Sequence, residues 1–392
     1  MDNQERGVIN IIYSALTGEK SSLPQDFDFP KSVKIAQKHK IEVMFYYGAL
    51  KCGFSQDDPL MQQLFSQTCN HIVISEQQMF QIKMMFEAFD REKIDYMPLK
   101  GVVLKKFYPK PEMRSMGDAD ILIRFEEYSD RIIPIMKKLG FEEGRVSDNE
   151  LVWNKHRICI ELHRRLIPSY NKDYYAYYGD GWRLAKLCGG THYSMSDEDQ
   201  MVYLFTHFAK HYRDSGIGIR HMVDLWVFRN RCKDLDEEYI KAELRKLQLY
   251  NFYQNTINTL GVWFEQKDTD DVSDFITQII FNSGVYGTNE AHVLSDALKL
   301  SKATGHDNDL RKTKLITEIF PPYDYMRRRY PILNNKVWLM PIFWLVRLAD
   351  AVIFRRNNVK DKYSKVKMIS DKSVADYQDA LNFVGLDFNF KE

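Results

Sequence analysis

The sequence predicts an α+β fold: a small mixed-sheet core flanked by N-terminal helices and a helical C-terminal domain. Three observations point there. Up to residue 93 the apolar residues recur mainly at helical spacing, and between 94 and 165 they fall in short runs with strand spacing. From Asp197 the helical spacing returns and continues to the end. The expected boundaries are therefore 1–93, 94–195 and 196–392. A sheet of that size cannot bury itself and must pack on its flanking helices.

Taken in order, Ile72–Ile94 places Ile72, Val73, Met79, Ile82, Met85, Phe86 and Phe89 at helical spacing. Ile94–Leu99 is short and apolar, a strand that runs into a turn at Lys100-Gly101. Val102–Tyr108 predicts a brief helix, stopped by Pro109 and Pro111. In Asp118–Arg124 the last four residues predict a strand. Arg131–Leu139 predicts a helix capped by Ser129 and stopped by Gly140, with Pro134 an awkward interior residue. Leu151–Trp153 and Arg157–His163 predict two strands joined by a tight turn at Asn154-Lys155-His156.

Composition narrows the functional classes. A chain of 392 residues, 44% hydrophobic and 28% charged, is an ordinary globular protein long enough for two domains. Net charge is +1, which selects no partner, but it is unevenly spread. Asp324–Lys372 holds twelve Lys or Arg against four Asp or Glu, a balance of +8 that leaves about −7 elsewhere. Residues 327–367 are thus a candidate contact for a polyanion, or else a solvated basic surface. The five cysteines are scattered with no CxxC pair, which fits reduced thiols and gives no zinc site. The start resembles no signal peptide, and the expected location is cytoplasmic. The apolar run Val337–Val346 is too short to span a bilayer, which takes roughly 20 residues. It reads as the start of a buried helix, with contact at a membrane interface as the alternative.

Chemistry concentrates in Leu99–Arg124. Strand alternation puts Asp118 and Asp120 on one face and Ala119 and Ile121 on the other. Two carboxylates this close repel one another unless a cation lies between them, and Mg²⁺ suits hard oxygen ligands shared with phosphates. In Arg157–His163, Ile158, Ile160 and Leu162 face a core, so Cys159, Glu161 and His163 line the opposite face. A charged residue inside an apolar strand needs a paired or metal-bound partner. If the two strands are neighbours, three carboxylates converge.

Leu99-Lys100-Gly101, Tyr108-Pro109, Arg114, Gly117-Asp118, Asp120, Gly140-Phe141 and Glu161-Leu162-His163 stand in an order and spacing that resemble the uncharacterised bacterial nucleotidyltransferases of the polymerase-β superfamily. The likeness extends through His207-Lys210-His211, Arg220 and Asp224 to Gly284-Val285-Tyr286-Gly287, covering roughly residues 70–290. Glu161 stands where Asp is usual, and Val102 follows Gly101 where the wider superfamily has Ser.

The resemblance implies Mg²⁺-dependent transfer of a nucleoside monophosphate from an NTP to an acceptor hydroxyl or phosphate. Asp118 and Asp120 would hold two Mg²⁺ ions, and Glu161 would complete one metal site or act as general base. Lys100, Gly101, Arg114, Ser115 and Gly117 would contact the nucleotide's phosphates. Each has a plainer alternative: Gly101 as a turn glycine, Arg114 as a partner of Glu112 or Asp118. His163 is read as a packed or hydrogen-bonding neighbour of the site. His163, His207, Lys210, His211 and Arg220 are candidates for a substrate groove, though Arg220 and Asp224 are also spaced as an intrahelical pair. The acceptor, whether small molecule, protein or RNA, is not legible. Rival readings are a catalytically silent nucleotide-binding module and a tRNA-directed nucleotidyltransferase toxin.

Overall fold

The structure is a computed structural model that describes residues 1–284, 287–304, 319–333, 335–354 and 370–386. Val285 and Tyr286 of the glycine-flanked motif lie outside the described residues, as do Asn334 and residues 355–367 of the basic segment. Two compact units are distinguished. One comprises Met1–Lys210, Ile217–Val285 and Val384–Glu392; the other comprises His211–Gly216 and Tyr286–Phe383.

In the first unit, α1 (Asn3–Thr17), α2 (Phe29–His39), α3 (Glu42–Cys52) and α4 (Pro59–Arg91) precede the sheet. Helix α4 starts well before the predicted Ile72. The Asp58 carboxylate accepts from the backbone N–H groups of Leu60 and Met61, and Pro59 has the fixed φ that suits a first helical position. A short strand, β1 (Tyr96–Pro98), leads into α5 (Lys100–Leu104) and a 3₁₀ turn, Lys105–Phe107. After β2 (Ala119–Ile123) comes α6 (Phe125–Lys138). It begins six residues before the predicted Arg131, so Ser129 lies inside the helix and is not its cap. Burial of Phe125, Ile132 and Met136 holds α6 to the sheet. Pro134 is accommodated because it and Asp130 are exposed, so the carbonyl left without a donor faces water.

The sheet is larger than the sequence implied. Strands β3 (Glu142–Val146), β4 (Glu150–Lys155), β5 (Ile158–His163), β6 (Lys186–Gly189) and β7 (His192–Ser194) join β1 and β2 in the order β3-β4-β5-β2-β1-β7-β6. The β2–β5 and β1–β7 pairings are parallel and the others antiparallel, so the sheet is mixed as expected. One face, with Ala119, Ile121, Ile123, Ile158, Ile160 and Leu162, packs on Ile82, Met85 and Phe89 of α4 and on α6. The opposite face carries Asp120, Glu161 and His163 beside the buried Leu122.

Short helix α7 (Lys172–Tyr178) precedes the last hairpin, and α8 (Asp197–Asp214) follows it. Then come α9 (Ile219–Arg231), α10 (Glu237–Lys246), α11 (Tyr250–Phe264) and α12 (Asp271–Ser283). The chain is α+β, a mixed sheet within a mainly helical structure.

The second unit holds α13 (Asn289–Thr304), α14 (Tyr323–Arg329), α15 (Met340–Phe354) and α16 (Asp371–Phe383). Met326, Leu333 and Met340 form a small core, against which Tyr330, Phe343 and Trp344 pack. The run Val337–Val346 is not the buried helix start that its composition suggested: Val337, Trp338, Ile342, Leu345 and Val346 are exposed. No helix among the described residues is long and apolar enough to cross a membrane.

Candidate active site

The polar face of the sheet is built around the β2–β5 pairing. Its parallel register sets Asp120 beside Glu161 and Leu122 beside His163. Because alternate residues of β5 face the core, Glu161 and His163 emerge together toward Asp120. A donor atom from each of Asp120, Glu161 and His163 lies within 4.8 Å of the others. Asp118, one residue before β2, is exposed at the edge of this group and is not one of the three. Two of the three expected carboxylates thus meet, with His163 beside them.

Asp120 is the most constrained of these groups. Its Oδ1 accepts from Lys100 Nζ at 2.8 Å and from His163 Nε2 at 2.8 Å. Burial alone would raise this carboxyl, but the Lys100 charge and the His163 hydrogen bond outweigh it and hold it well below the usual carboxylate range. On His163 burial works against the charged ring, while its hydrogen bonds to Asp120 and Glu161 shift it upward. Glu161 Oε2 lies 3.5 Å from His163 Nε2, and Asn149 Nδ2 lies 3.2 Å from Nδ1. His163 is therefore fixed on both sides of its ring.

Lys100 reaches Asp120 from an unusual backbone position, φ +41°, in the left-handed region that L residues seldom adopt. The Leu99 N–H bonds to the Asp120 carbonyl at 2.9 Å, which anchors the turn against β2. Such local strain persists where surrounding contacts over-determine it, often at functional sites. A Cβ on Gly101 would stand 2.8 Å from Met116 Sδ, so the flexible Met116 side chain would have to shift to admit one. Gly117 is different, with open space where its Cβ would be.

Negative charge dominates the mouth of the site. Desolvation and then the Asp120 charge push the Asp118 carboxyl up, Lys100 opposes them, and Glu161 adds to the rise. Cys159, on the same face, is raised to about 11 by burial and by the Glu161, Asp118 and Asp120 charges. Its thiol stays protonated at neutral pH.

The structure places the predicted phosphate contacts unevenly. Arg114 is buried, with Nε donating to Asp224 Oδ1 at 2.7 Å and Nη1 to the Ser115 carbonyl at 2.5 Å. Its ion-pair partner is thus Asp224 of α9 rather than Glu112 or Asp118, and Glu112 instead accepts from Tyr47 Oη at 2.9 Å. Tyr108 Oη also donates to Asp224 Oδ1, at 2.7 Å. With Asp224 so occupied, Arg220 turns to the Ser115 carbonyl, Nη1 at 3.2 Å, and its buried Nε has no hydrogen-bond partner. Burial and then the Arg114 charge lower Arg220 to about 10. Ser115 Oγ donates to the Lys40 carbonyl at 2.8 Å, so the hydroxyl's own proton is committed to the backbone.

Along α8, Tyr203 carries a signal that sequence reasoning missed. It is fully buried, its hydroxyl has no hydrogen-bond partner, and burial raises it to about 12 while Lys100 and Asp120 act on it. The His207 ring lies 6.4 Å from that of Tyr203. Lys210 is half-buried further along α8, and His211 belongs to the second unit. Asn149, which orients His163, was also missed; one polar residue before a strand has no distinctive spacing.

Among solved structures, the chain is similar to the solution structure of the antibiotic-resistance factor ANT(2'')-Ia, at 11% identity and a TM-score of 0.33. That likeness covers 49% of this chain and 100% of the other. No curated protein matches. The family described as "Uncharacterised nucleotidyltransferase" matches residues 25–265, a span that includes β1, β2, β5 and α9 and so every residue of the carboxylate cluster, and the chain belongs to that family.

Proposed function

We propose that the protein catalyses Mg²⁺-dependent transfer of a nucleoside monophosphate from an NTP to an acceptor hydroxyl or phosphate, with residues 94–195 as its catalytic core. The observation that carries this reading is the register pairing of Asp120 with Glu161 on adjacent parallel strands, with Asp118 two residues upstream. The residues fit the ion, since the cluster offers hard oxygen donors and its crowded negative charge favours a cation. Asp118, Asp120 and Glu161 would hold it, and His163, already bonded to Asp120, would orient that carboxylate. When bound, Mg²⁺ would neutralise phosphate charge and favour the ionised acceptor.

In the reaction the acceptor oxygen forms a bond to the α-phosphorus, and the bond from that phosphorus to the oxygen bridging to the β-phosphate breaks. Pyrophosphate leaves. Glu161 would take the acceptor proton, or would help hold the ion, in which case the proton would pass to water. Lys100 holds Asp120 in place and adds a positive charge close to the phosphates. Arg220, with its unpartnered Nε, is the arginine suited to the leaving phosphates, while Arg114 is engaged in fixing α9 to the loop.

A silent nucleotide-binding module is the second reading, favoured by one observation: Lys100 already neutralises Asp120, as a bound cation would. Calorimetry separates both readings from a misplaced site. The wild type is expected to bind Mg·ATP or Mg·GTP at least about tenfold more tightly than the nucleotide in EDTA. Asp118→Asn/Asp120→Asn should abolish that difference while circular dichroism shows the fold retained. Affinity indifferent to both magnesium and the double substitution would overturn the assignment.

A further inference from the structure

In the second unit, α15 is apolar on two sides. Met340, Phe343 and Trp344 pack inward on Met326 and Leu333, and Trp344 Nε1 donates to the Pro321 carbonyl at 3.0 Å. The opposite side is exposed: Ile342 by 53%, Leu345 by 68% and Val346 by 46%. The 3₁₀ turn before it adds Val337 at 58% and Trp338 at 74%. Positions 338, 342, 345, 346 and 349 recur at helical spacing, so these side chains form one stripe. A helix apolar all round belongs in a core or against a membrane, and among the described residues this one has a core on one side alone. At 15 residues it rises about 22 Å, short of the roughly 30 Å hydrocarbon layer, so it cannot span a bilayer but can lie along one.

The charge of the segment selects the occupant. Tyr325–Phe354 contains five Lys or Arg and a single acid, Asp350. Arg329 pairs with that acid at 2.7 Å, which leaves a net balance of +4 in the segment. Arg347 lies 5.9 Å from the Tyr325 ring, and Lys336 and Arg327 are exposed. Exposed aliphatics and a tryptophan in a segment of net positive charge match the interface of an anionic bilayer, where apolar side chains enter the acyl boundary and cations meet headgroups. An RNA would use the charge but has no use for exposed Ile342, Leu345 and Val346, since bases stack on rings.

We propose that the α15 stripe, with Val337 and Trp338, docks the protein on an anionic lipid surface. The inference is independent of the nucleotidyl-transfer reading, because none of its residues belongs to the carboxylate site.

The test is flotation of the full-length protein with phosphatidylcholine vesicles containing about one third phosphatidylserine, compared with pure phosphatidylcholine. The wild type should float with the anionic vesicles, shift its tryptophan emission to the blue and lose binding as salt rises. Leu345→Asp and, separately, Val346→Asp should reduce binding at least about tenfold, because each puts a carboxylate into the apolar boundary. Both sites are on the surface, so an unchanged melting curve verifies folding. No binding to anionic vesicles at low salt would overturn the proposal. So would binding that Leu345→Asp and Val346→Asp leave intact. Binding to RNA, or dimerisation lost in the same variants, in place of vesicle binding would assign the stripe to another partner and likewise overturn it.

Discussion

At the scale of single residues, the site depends on how buried charges are paired. Asp120 meets Lys100 and His163, and Asp224 meets Arg114 and Tyr108. Burial makes both arrangements sensitive, since removing one partner leaves the other charged and desolvated. Asp224→Asn keeps the shape but removes the charge opposite buried Arg114. It should lower stability by about 3–5 kcal/mol in urea unfolding, whereas Arg114→Met/Asp224→Leu should recover a large part of that loss. A change below about 1 kcal/mol in Asp224→Asn would show that water already compensates Arg114. This pairing was invisible in the sequence because its partners are 110 residues apart and each has nearer candidates. Asp120 and Glu161 were legible for the opposite reason: each lies within a short apolar strand, where a carboxylate is conspicuous.

Among elements, strand alternation was the most informative signal. Ile158, Ile160 and Leu162 marked the buried face of β5 and so placed Glu161 and His163 on the other. Strand β3 carries no such mark; all five of its residues are exposed, so no apolar period betrays it. Strand β6 is short and exposed throughout, and β7 is only three half-buried residues, so neither shows one. Helix starts were read poorly: the Asp58-Pro59 start of α4 was passed over in favour of Ile72, and Ser129, a capping residue type, lies inside α6. One contact between elements gives a pH prediction. His39, the last residue of α2, accepts from the Ile219 N–H at 3.2 Å and lies 3.3 Å from the Phe281 carbonyl, so it joins α2 to α9 and α12. Burial is the main cause that lowers it to about 4, so the native state holds it neutral. The unfolded chain takes up the proton at about 6.5. Its contribution is complete above that pH and declines as pH falls toward about 4, by roughly 3 kcal/mol in all. His39→Gln should be less stable at neutral pH but lose less stability between pH 7 and pH 5, measured by urea midpoints. Parallel pH slopes for the two proteins would contradict this.

On the scale of the whole molecule, the polar face of one sheet and the exposed stripe of α15 are separate features with separate tests. The first bears on the proposed nucleotidyl transfer, the second on the proposed docking to a lipid surface. Family membership supports nucleotidyl transfer, and the carboxylate cluster is where that chemistry would act. The central claim is that the α-phosphate is the group transferred. Its most direct test compares ATP and GTP labelled at the α-phosphorus with the same nucleotides labelled at γ, each incubated with the protein, Mg²⁺ and cell extract. The account predicts that α-label appears on an extract component and that γ-label leaves as pyrophosphate, with both signals lost in Asp118→Asn/Asp120→Asn. Label transferred from the γ position, or tight Mg·NTP binding with no label transferred from either, would contradict it.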